Sequence, residues 1–346
     1  MSTTSPRTAH PITIGGAHSS PYSLKMRAVL RYRRIPFRWV LRNSRWDDLP
    51  DVPVQIIPVL VFPDEHGGYG EAMVDSSPQI ARLEREYHGR SIVPIDPALA
   101  LIDFLIEDFA DEWVTKVMYH YRWTYAPDIE KSGRLLPLDR NLQASDEELA
   151  MAHDFIIDRQ VGRRALVGST DANLPVIERS YERLLDVLQR HLGAHDFLMG
   201  ERPARGDFAL YGQLKPLLWW DPTPMAIAVE RAPRAVNWIE RVDDLSWWDV
   251  DGDHGWFAEL PPTTAELLGE IGRTYAPFML ANNAALLAGD DELVCKIDGH
   301  EYRQAPFKYQ GKCLTWLRMA YVTLDDEARA RVDRLLAGTG CETLLT

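Results

Sequence analysis

A proline inside the apolar run of residues 55–62 limits how this part of the chain can fold. Because proline cannot donate a hydrogen bond to a sheet ladder, Pro58 excludes a central strand that continues through it. A strand that begins just after Pro58, with a cis peptide bond between Ile57 and Pro58, is one arrangement that escapes this limit. After a glycine-rich turn, residues 72–74 are the predicted hairpin partner of residues 59–62.

The sequence before this run predicts a strand, a helix and a second strand. The β-branched residues 12–14 end at a glycine pair, which is typical of a short buried strand that leads into a loop. A helix follows with Ser23 as its plausible N-cap, Lys25 largely off its apolar face, and Pro36 preventing its continuation. Residues 37–41 then alternate in character, as in a strand with one buried face. Together these elements make a βαβ unit of about 30 residues.

The next segments predict a change from mixed to helical structure. Residues 75–78, Asp-Ser-Ser-Pro, predict the cap of a helix that runs from residue 79 to about residue 87. The prolines of residues 93–98 indicate a linker between domains. Beyond this linker, apolar residues at three- and four-residue steps predict one long helix from about 98 to 122. Further helical periodicity appears at 146–164, 174–192, 207–220 and 231–242.

The chain after about residue 250 has its own pattern of elements. Its spacing predicts a long helix over 263–288. Two short apolar runs then flank Asp298-Gly299, which is the strongest short signal for a β-hairpin. Two more helices are predicted at 310–321 and 325–337. No motif in this extension assigns it a role.

The net charge and the cysteines of the chain make several classes of partner and location less consistent with the sequence. The net charge of −13 disfavours binding to nucleic acid, whose phosphates need a basic patch, and docking on an anionic membrane. No run of about 18 apolar residues predicts a membrane span, and the first residues lack the apolar stretch of a signal peptide. The three cysteines form no CxxC pair and are expected to be reduced thiols. We therefore expect a cytoplasmic protein.

Three short motifs stand out along the predicted elements. Ser20-Pro21-Tyr22-Ser23 has the spacing of the redox motif Cys-Pro-Tyr-Cys, with serine in place of both cysteines. Ile57-Pro58 precedes the hairpin, and Asp75-Ser76 precedes the following helix. With this order of elements, the chain resembles the cytosolic glutathione transferases of the serine type.

The resemblance covers about residues 10–248 and implies an organisation in domains. It implies an α/β thioredoxin-like, glutathione-binding domain over residues 1–92 and an all-helical bundle domain over residues 99–250. Residues 251–346, a mostly helical extension with a hairpin near 293–304, have no counterpart in the standard family. The resemblance also implies a cytoplasmic homodimer with a role in detoxification.

The first motif is implied to meet the sulfur of glutathione. In serine- and cysteine-type transferases the first position of this frame, held here by Ser20, lies at the N-terminal end of the first helix. A helix N-terminus favours a thiolate through its free N–H groups and dipole, and a hydroxyl donor stabilises the thiolate further. Tyr22 is the alternative hydroxyl, with Ser19 as a further one, whereas Ser23 is interpreted as the cap.

The other two motifs are implied to hold the remainder of glutathione. In this family the residue before the cis-proline, here Ile57 before Pro58, pairs through its main chain with the cysteinyl backbone of the ligand. Asp75 and Ser76 match the acidic residue and serine that hold the γ-glutamyl end, because an ammonium group suits a carboxylate and a carboxylate suits hydroxyl and N–H donors.

Three further residue groups remain less defined. The basic residue for the glycyl carboxylate is unclear, with Arg42 and Arg45 as candidates. Asp111, Tyr119 and Arg122 are candidates for the second-substrate pocket, because one face of the long helix borders that pocket in the resembled fold. The acidic residues of this helix are interpreted as a solvated or dimer-facing stripe; they are Glu107, Asp108, Asp111 and Glu112.

A fourth feature concerns the fold alone. Residues 200–209 resemble the capping box that opens a buried helix in this family, and Asp207 keeps its position. Ala204 replaces the usual hydroxyl cap, which is expected to cost about 1 kcal/mol of stability.

The resemblance therefore implies a glutathione transferase-like enzyme that uses glutathione as cosubstrate and no metal. It would activate the glutathione thiolate for attack on a small apolar electrophile, with Ser20 as the stabilising group. The alternative is a non-catalytic binding or assembly module with the same fold, as in metaxin-like relatives. A glutathione-dependent reductase is disfavoured because Ser20 and Ser23 cannot form a mixed disulfide.

Overall fold

The N-terminal part of the chain is a four-stranded sheet with helices, seen in a computed structural model that describes residues 10–250 and 252–346. The strand order is β2-β1-β3-β4, with β1 and β2 parallel and the other pairs antiparallel. The peptide bond between Ile57 and Pro58 is cis, as predicted. This arrangement confirms the predicted thioredoxin-like order. Its elements are β1 (Ile12–Gly16), α1 (Pro21–Tyr32), β2 (Phe37–Leu41), β3 (Val59–Pro63), β4 (Tyr69–Met73) and α2 (Ser76–Glu86).

Both helices of this sheet domain begin earlier than the sequence predicts. The N-cap of α1 is Ser20, whose Oγ accepts a hydrogen bond from the Ser23 N–H at 3.4 Å. The assignment of Ser23 as the cap was therefore wrong. The reason is Pro21, which suits the first helical position because its φ is fixed and it needs no acceptor for an N–H. Helix α2 likewise begins at Ser76, three residues before the predicted start at residue 79.

The second part of the chain is entirely helical. The predicted long helix is present, but a π-helical turn at Ala110–Val114 interrupts it between α3 and α4. The sequence analysis also missed α5, and it missed α9, which precedes the predicted helix at 231–242. The helices are α3 (Pro97–Phe109), α4 (Thr115–Thr124), α5 (Ala126–Leu135), α6 (Asp146–Val161), α7 (Leu174–His191), α8 (Arg205–Lys215), α9 (Pro222–Arg231) and α10 (Pro233–Asp243).

Asp207 lies in the first turn of the buried helix α8, as the capping-box resemblance implied. Its carboxylate accepts hydrogen bonds from the backbone N–H groups of Ala204 at 2.8 Å and Leu198 at 3.0 Å. Burial raises the pKa of Asp207 to about 7. Because Ala204 has no side-chain acceptor, the reciprocal half of the capping box is missing.

The extension folds as the sequence predicts. The long helix, the hairpin around Asp298-Gly299 and the two final helices are all present. Helix α11 packs against α7, while α12 and α13 both pack against α3. The extension therefore covers helices of the second part of the chain. Its elements are α11 (Pro262–Ala288), β5 (Leu293–Ile297), β6 (His300–Gln304), α12 (Lys308–Val322) and α13 (Asp326–Leu336).

One apolar core runs from the sheet through the helices to the extension. A small second cluster that includes Val40, Val59 and Val61 packs separately. No helix among the described residues is long and apolar enough to cross a membrane. The domain boundaries near 92 and 250 stay a prediction.

Candidate functional site

The start of α1 places two hydroxyl groups in different hydrogen-bonding states. The Ser20 hydroxyl is half-buried and acts as an acceptor; within the described residues it donates to no group. The Tyr22 hydroxyl instead donates to the backbone carbonyl of Asp111 at 2.8 Å and lies 3.4 Å from the Thr115 hydroxyl. Burial raises the pKa of Tyr22 well above its ordinary value, so its proton stays in place. Ser20 is thus the hydroxyl with a proton left for a ligand.

Two cavities meet beside Tyr22. We call the first, of about 490 Å³, the acidic cavity, because four carboxylates and a single lysine line it. We call the second, of about 990 Å³, the basic cavity, because four arginines and two carboxylates line it. The charged residues of the acidic cavity are Asp75, Asp108, Asp111, Glu112 and Lys116. Those of the basic cavity are Arg42, Arg122, Arg140, Arg159, Asp139 and Glu148.

Four residues line both cavities and so join them: Tyr22, Ile56, Ile57 and Thr115. Among the described residues, no backbone hydrogen bond engages the N–H or C=O of Ile57, which lies just before β3. Ser20 lines the basic cavity, whereas Asp75 and Ser76 line the acidic one. An extended ligand that passes Ile57 would therefore have Ser20 on its basic-cavity side and Asp75 on its acidic-cavity side.

Asp75 and Ser76 lie at the N-terminal end of α2, where a helix presents free N–H groups. Asp75 has φ +79° and ψ 113°, a sparsely populated conformation that costs about 1–3 kcal/mol and is common at functional sites. Its side chain caps no N–H of the helix and instead accepts a hydrogen bond from Tyr309 at 2.7 Å. The carboxylate thus lines the cavity and is held by Tyr309, while the Ser77 backbone N–H of its own helix also favours its charged form.

Lys25 is buried beneath this end of α2, with 1% of its surface exposed. Its Nζ lies 2.7 Å from Glu107 Oε1, 2.5 Å from Asp111 Oδ2 and 3.3 Å from Ser76 Oγ. Burial alone would lower the pKa of Lys25, but Asp111 and Glu107 outweigh it and raise that pKa. The lysine is therefore a fixed positive charge under Ser76.

These contacts correct two interpretations of the sequence. Lys25 was expected to lie largely off the apolar face of α1, but its side chain is buried. The acidic residues of α3 and the π turn were expected to form a solvated or dimer-facing stripe, but all of them are buried as well. Lys25 bridges to two of these carboxylates, and Arg205 forms an ion pair with Glu107. The like charges of Glu107 and Asp111 at i,i+4 are thus compensated from other helices.

The remaining carboxylates of the acidic cavity are largely uncompensated. Burial raises the pKa of Asp108 to about 7 and, helped by Asp108 and Asp111, that of Glu112 to about 8. Burial also lowers the pKa of Lys116 to about 8. At neutral pH this cavity therefore holds carboxyl groups that keep a proton more readily than exposed ones do.

The two arginine candidates for the glycyl carboxylate of glutathione lie in different places. Arg42 lines the basic cavity, where its Nη1 donates to Asp47 at 2.8 Å. Arg45 lines neither cavity; it donates to Gln143 at 2.7 Å and stacks on Trp46. The structure thus brings only Arg42 to the same cavity as Ser20.

The three candidates for the second-substrate pocket do not all line the same cavity. Tyr119 and Arg122 line the basic cavity near Ser20, whereas Asp111 lines the acidic one and binds Lys25. The Arg122 Nε donates to both oxygens of the buried Asp221 at 3.1 Å. Tyr119 and Arg122 are therefore placed for contact with a molecule near Ser20, and Asp111 is not.

Residues 15–91 match the family described as Glutathione S-transferase, N-terminal domain. This part of the chain belongs to that family. The match includes the three motifs identified above but leaves the roles of individual residues to be tested.

Several solved structures are similar to about two thirds of the chain. A glutathione transferase family member from Pseudomonas fluorescens, with two glutathione bound, is 15% identical and has a TM-score of 0.40; the alignment covers 68% of this chain and 88% of that one. The Tau class glutathione S-transferase from mango is 18% identical, with coverages of 67% and 88% and a TM-score of 0.39.

The beta-etherase LigF from Sphingobium is also 18% identical, with coverages of 66% and 99% and a TM-score of 0.43. Because these scores are below 0.5, the family assignment rests on the matched N-terminal domain and on its strand order. No curated protein matches the chain.

The sequence analysis missed that the extension lines the acidic cavity. Tyr309, Gln310 and Cys313 of α12 line the acidic cavity together with Asp75 and Ser76. No local pattern signals this, because the contact joins residues 234 positions apart. Among residues 10–250 and 252–346, no group of three or more histidine, cysteine or acidic side chains is arranged to hold a metal ion.

Proposed function

We propose that this protein binds glutathione across the two cavities and stabilises its thiolate for attack on an apolar electrophile. The observation that supports this most is the placement of Ser20, Ile57 and Asp75 along one continuous surface formed by the joined cavities. This surface suits an extended peptide with a thiol near its centre. The match of residues 15–91 to the glutathione S-transferase N-terminal domain also supports the proposal.

The charges of the two cavities fit the two ends of glutathione. The γ-glutamyl end has an ammonium group, which suits the Asp75 carboxylate of the acidic cavity, and a carboxylate, which suits Ser76 above Lys25 and the N–H groups of α2. The glycyl carboxylate suits Arg42 in the basic cavity. The cysteinyl backbone would pair with the unengaged N–H and C=O of Ile57.

Ser20 is the proposed thiolate-stabilising group. Its hydroxyl would donate to the sulfur, and the first turn of α1 would add the Tyr22 N–H and the positive end of its dipole. Both interactions favour the charged form, so they lower the pKa of the bound thiol. The thiol loses its proton to solvent, the thiolate forms a bond to the electrophilic carbon, and the leaving group departs with the electron pair of the broken bond.

The second substrate is proposed to lie in the basic cavity, beside Tyr119 and Arg122. That cavity also has apolar walls from Met118, Trp123 and Phe155. An electrophile bound there would lie next to Ser20, and so next to the proposed position of the sulfur. Water would be displaced from the reacting atoms as the cavity fills.

The direct test combines glutathione binding with turnover of a chromogenic aryl halide. We expect the wild-type protein to bind glutathione in calorimetry and to conjugate the halide, and Ser20→Ala to keep binding but lose most turnover. Asp75→Asn should weaken binding, while Asp290→Asn, an exposed aspartate of the extension, should leave both measurements unchanged.

The outcomes separate the alternatives. Glutathione binding that depends on Asp75, with no turnover of electrophiles, would support a non-catalytic binding module instead. A wild-type protein that does not bind glutathione at millimolar concentration would overturn the proposal altogether.

A further inference from the structure

Helix α12 of the extension forms one wall of the acidic cavity. Its side chains face Asp75 and Ser76 across the cavity; those that line it are Tyr309, Gln310, Cys313 and Trp316. The Tyr309 ring lies edge-on to Trp316, with ring centres 6.1 Å apart. The extension is thus part of the site and not an appendage beside it.

The contact that joins the extension to the site is a hydrogen bond from the Tyr309 hydroxyl to Asp75 Oδ2, at 2.7 Å. Burial raises the pKa of Tyr309, so the tyrosine keeps its proton and acts as the donor. Within the described residues, no side chain donates to the other oxygen, Asp75 Oδ1. One carboxylate oxygen is therefore held by the extension. The Ser77 backbone N–H also favours the Asp75 carboxylate, and Oδ1, which has no side-chain donor, can still accept a hydrogen bond from a ligand.

Two buried acceptors of the same cavity also lack a partner in the described part of the chain. They are Asp111 Oδ1 and Gln310 Oε1, from residues that are 6% and 3% exposed. A buried acceptor without a donor costs about 1–3 kcal/mol. Both atoms are acceptors, so N–H donors of a ligand in this cavity would lower that cost.

We propose that Tyr309 is a positioning residue, which holds the Asp75 carboxylate in the orientation that receives the ammonium group of the ligand's γ-glutamyl end. This inference rests on the proposed function. It assigns the C-terminal extension a role in glutathione recognition: α12 completes the γ-glutamyl subsite from within the same chain.

The charge on Asp75 depends on the same hydrogen bond. Burial raises the pKa of Asp75, and the bond from Tyr309 opposes that increase. The other titratable groups that face Asp75 come from α1, α3, the π turn and α12; they are Lys25, Glu107, Asp111 and Cys313. Lys25 lowers the pKa of Asp75 and Glu107 raises it. Tyr309 acts in the same direction as Lys25, so it helps to keep Asp75 ionised.

The test measures the affinity of the full-length protein for two ligands by calorimetry. The first is glutathione, and the second is glutaryl-cysteinyl-glycine, which lacks only the α-ammonium group. The variant is Tyr309→Phe, and the matched control is Tyr321→Phe, another tyrosine of the extension that donates to an aspartate, Asp333, at 2.7 Å on the exposed surface.

We expect Tyr309→Phe to weaken glutathione binding about tenfold, as for the loss of a hydrogen bond to a charged group. Binding of glutaryl-cysteinyl-glycine should change less than about twofold, because no ammonium group is left to pair with Asp75. The loss of glutathione affinity on acidification should also begin at higher pH in Tyr309→Phe, since the pKa of Asp75 rises without its donor. Tyr321→Phe should match the wild type.

An equal loss of affinity for both ligands would mean that Tyr309 only shapes the wall, and it would overturn the inference. Unchanged or tighter glutathione binding by Tyr309→Phe would overturn it as well, because the tyrosine would then be neutral or a competitor for Asp75. In both cases the wild type still binds glutathione and the proposed function stands. A wild type that binds neither ligand overturns both proposals.

Discussion

Tyr22 donates its hydroxyl proton to the backbone carbonyl of Asp111 at 2.8 Å, which links α1 to the π turn after α3. The bond engages the only proton of a hydroxyl that would otherwise compete with Ser20 for the sulfur of a bound thiol. This contact favours Ser20 over Tyr22 among the hydroxyl candidates that the sequence left open.

The first prediction concerns this choice. Ser20→Ala should raise the pKa of the thiol of bound glutathione by about one unit and lower kcat/KM about tenfold or more, because a hydrogen bond to the thiolate is lost. Tyr22→Phe should change that pKa by less than about 0.3 units. The measurement is the pH dependence of thiolate absorbance in the complex. A larger shift in Tyr22→Phe than in Ser20→Ala would reverse the assignment.

The second prediction concerns the buried lysine. Lys25→Met leaves Asp111 buried without a cation and Glu107 with Arg205 alone, so we expect the free energy of unfolding to fall by about 3 kcal/mol or more. Urea unfolding measures the change. Lys308→Met, at an exposed lysine of α12, is the control and should stay within about 0.5 kcal/mol of the wild type. Equal stabilities of the two variants would show that the buried pair is not needed.

The third prediction is a dependence of stability on pH. Glu112 has a folded-state pKa of about 8, raised chiefly by burial, whereas an unfolded glutamate has a pKa of about 4.3. Between these values the folded state holds a proton that the unfolded state has lost, so the free energy of unfolding falls as pH rises from about 5 to 7.5. Lys116, with its pKa lowered to about 8, acts in the opposite direction only above this range.

Replacing Glu112 tests this dependence. Glu112→Gln should remove up to about 1.4 kcal/mol per pH unit from the slope of unfolding free energy against pH. Chemical denaturation at pH 5.5, 6.5 and 7.5 gives the slope. Glu259→Gln, at an exposed glutamate, should keep the slope of the wild type. An unaltered slope in Glu112→Gln would mean that the carboxyl group is ionised in the folded protein.

The fourth prediction separates the two arginines near the glycyl end. Arg42→Ala should weaken glutathione binding about threefold to tenfold, because Arg42 lines the cavity that holds Ser20. Arg45→Ala should change it less than about twofold, since Arg45 binds Gln143 outside both cavities. Titration calorimetry of the two variants under the same conditions provides the comparison. A loss confined to Arg45→Ala would contradict the placement.

Much of the fold follows from short stretches of sequence. The start of β3 after Pro58, the cis peptide bond there and the hairpin at Asp298-Gly299 are confirmed, because each depends on residues that are neighbours in the chain. Helical periodicity likewise predicted the long helices of the second part and of the extension. The errors at Ser23 and residue 79 are shifts of a few residues at helix starts, where several side chains can serve as the cap.

The sequence by itself determined the thioredoxin-like order, the helices that follow and the motifs of a glutathione-type site. Only the tertiary structure decided which charges are buried together. Lys25 meets Glu107 and Asp111 across 82 and 86 positions of the chain, and Tyr309 meets Asp75 across 234. A local pattern records which face of a helix is apolar, but the partner of a buried charge is set by the packing of distant elements. The contact between the extension and Asp75 is therefore visible only in the folded chain.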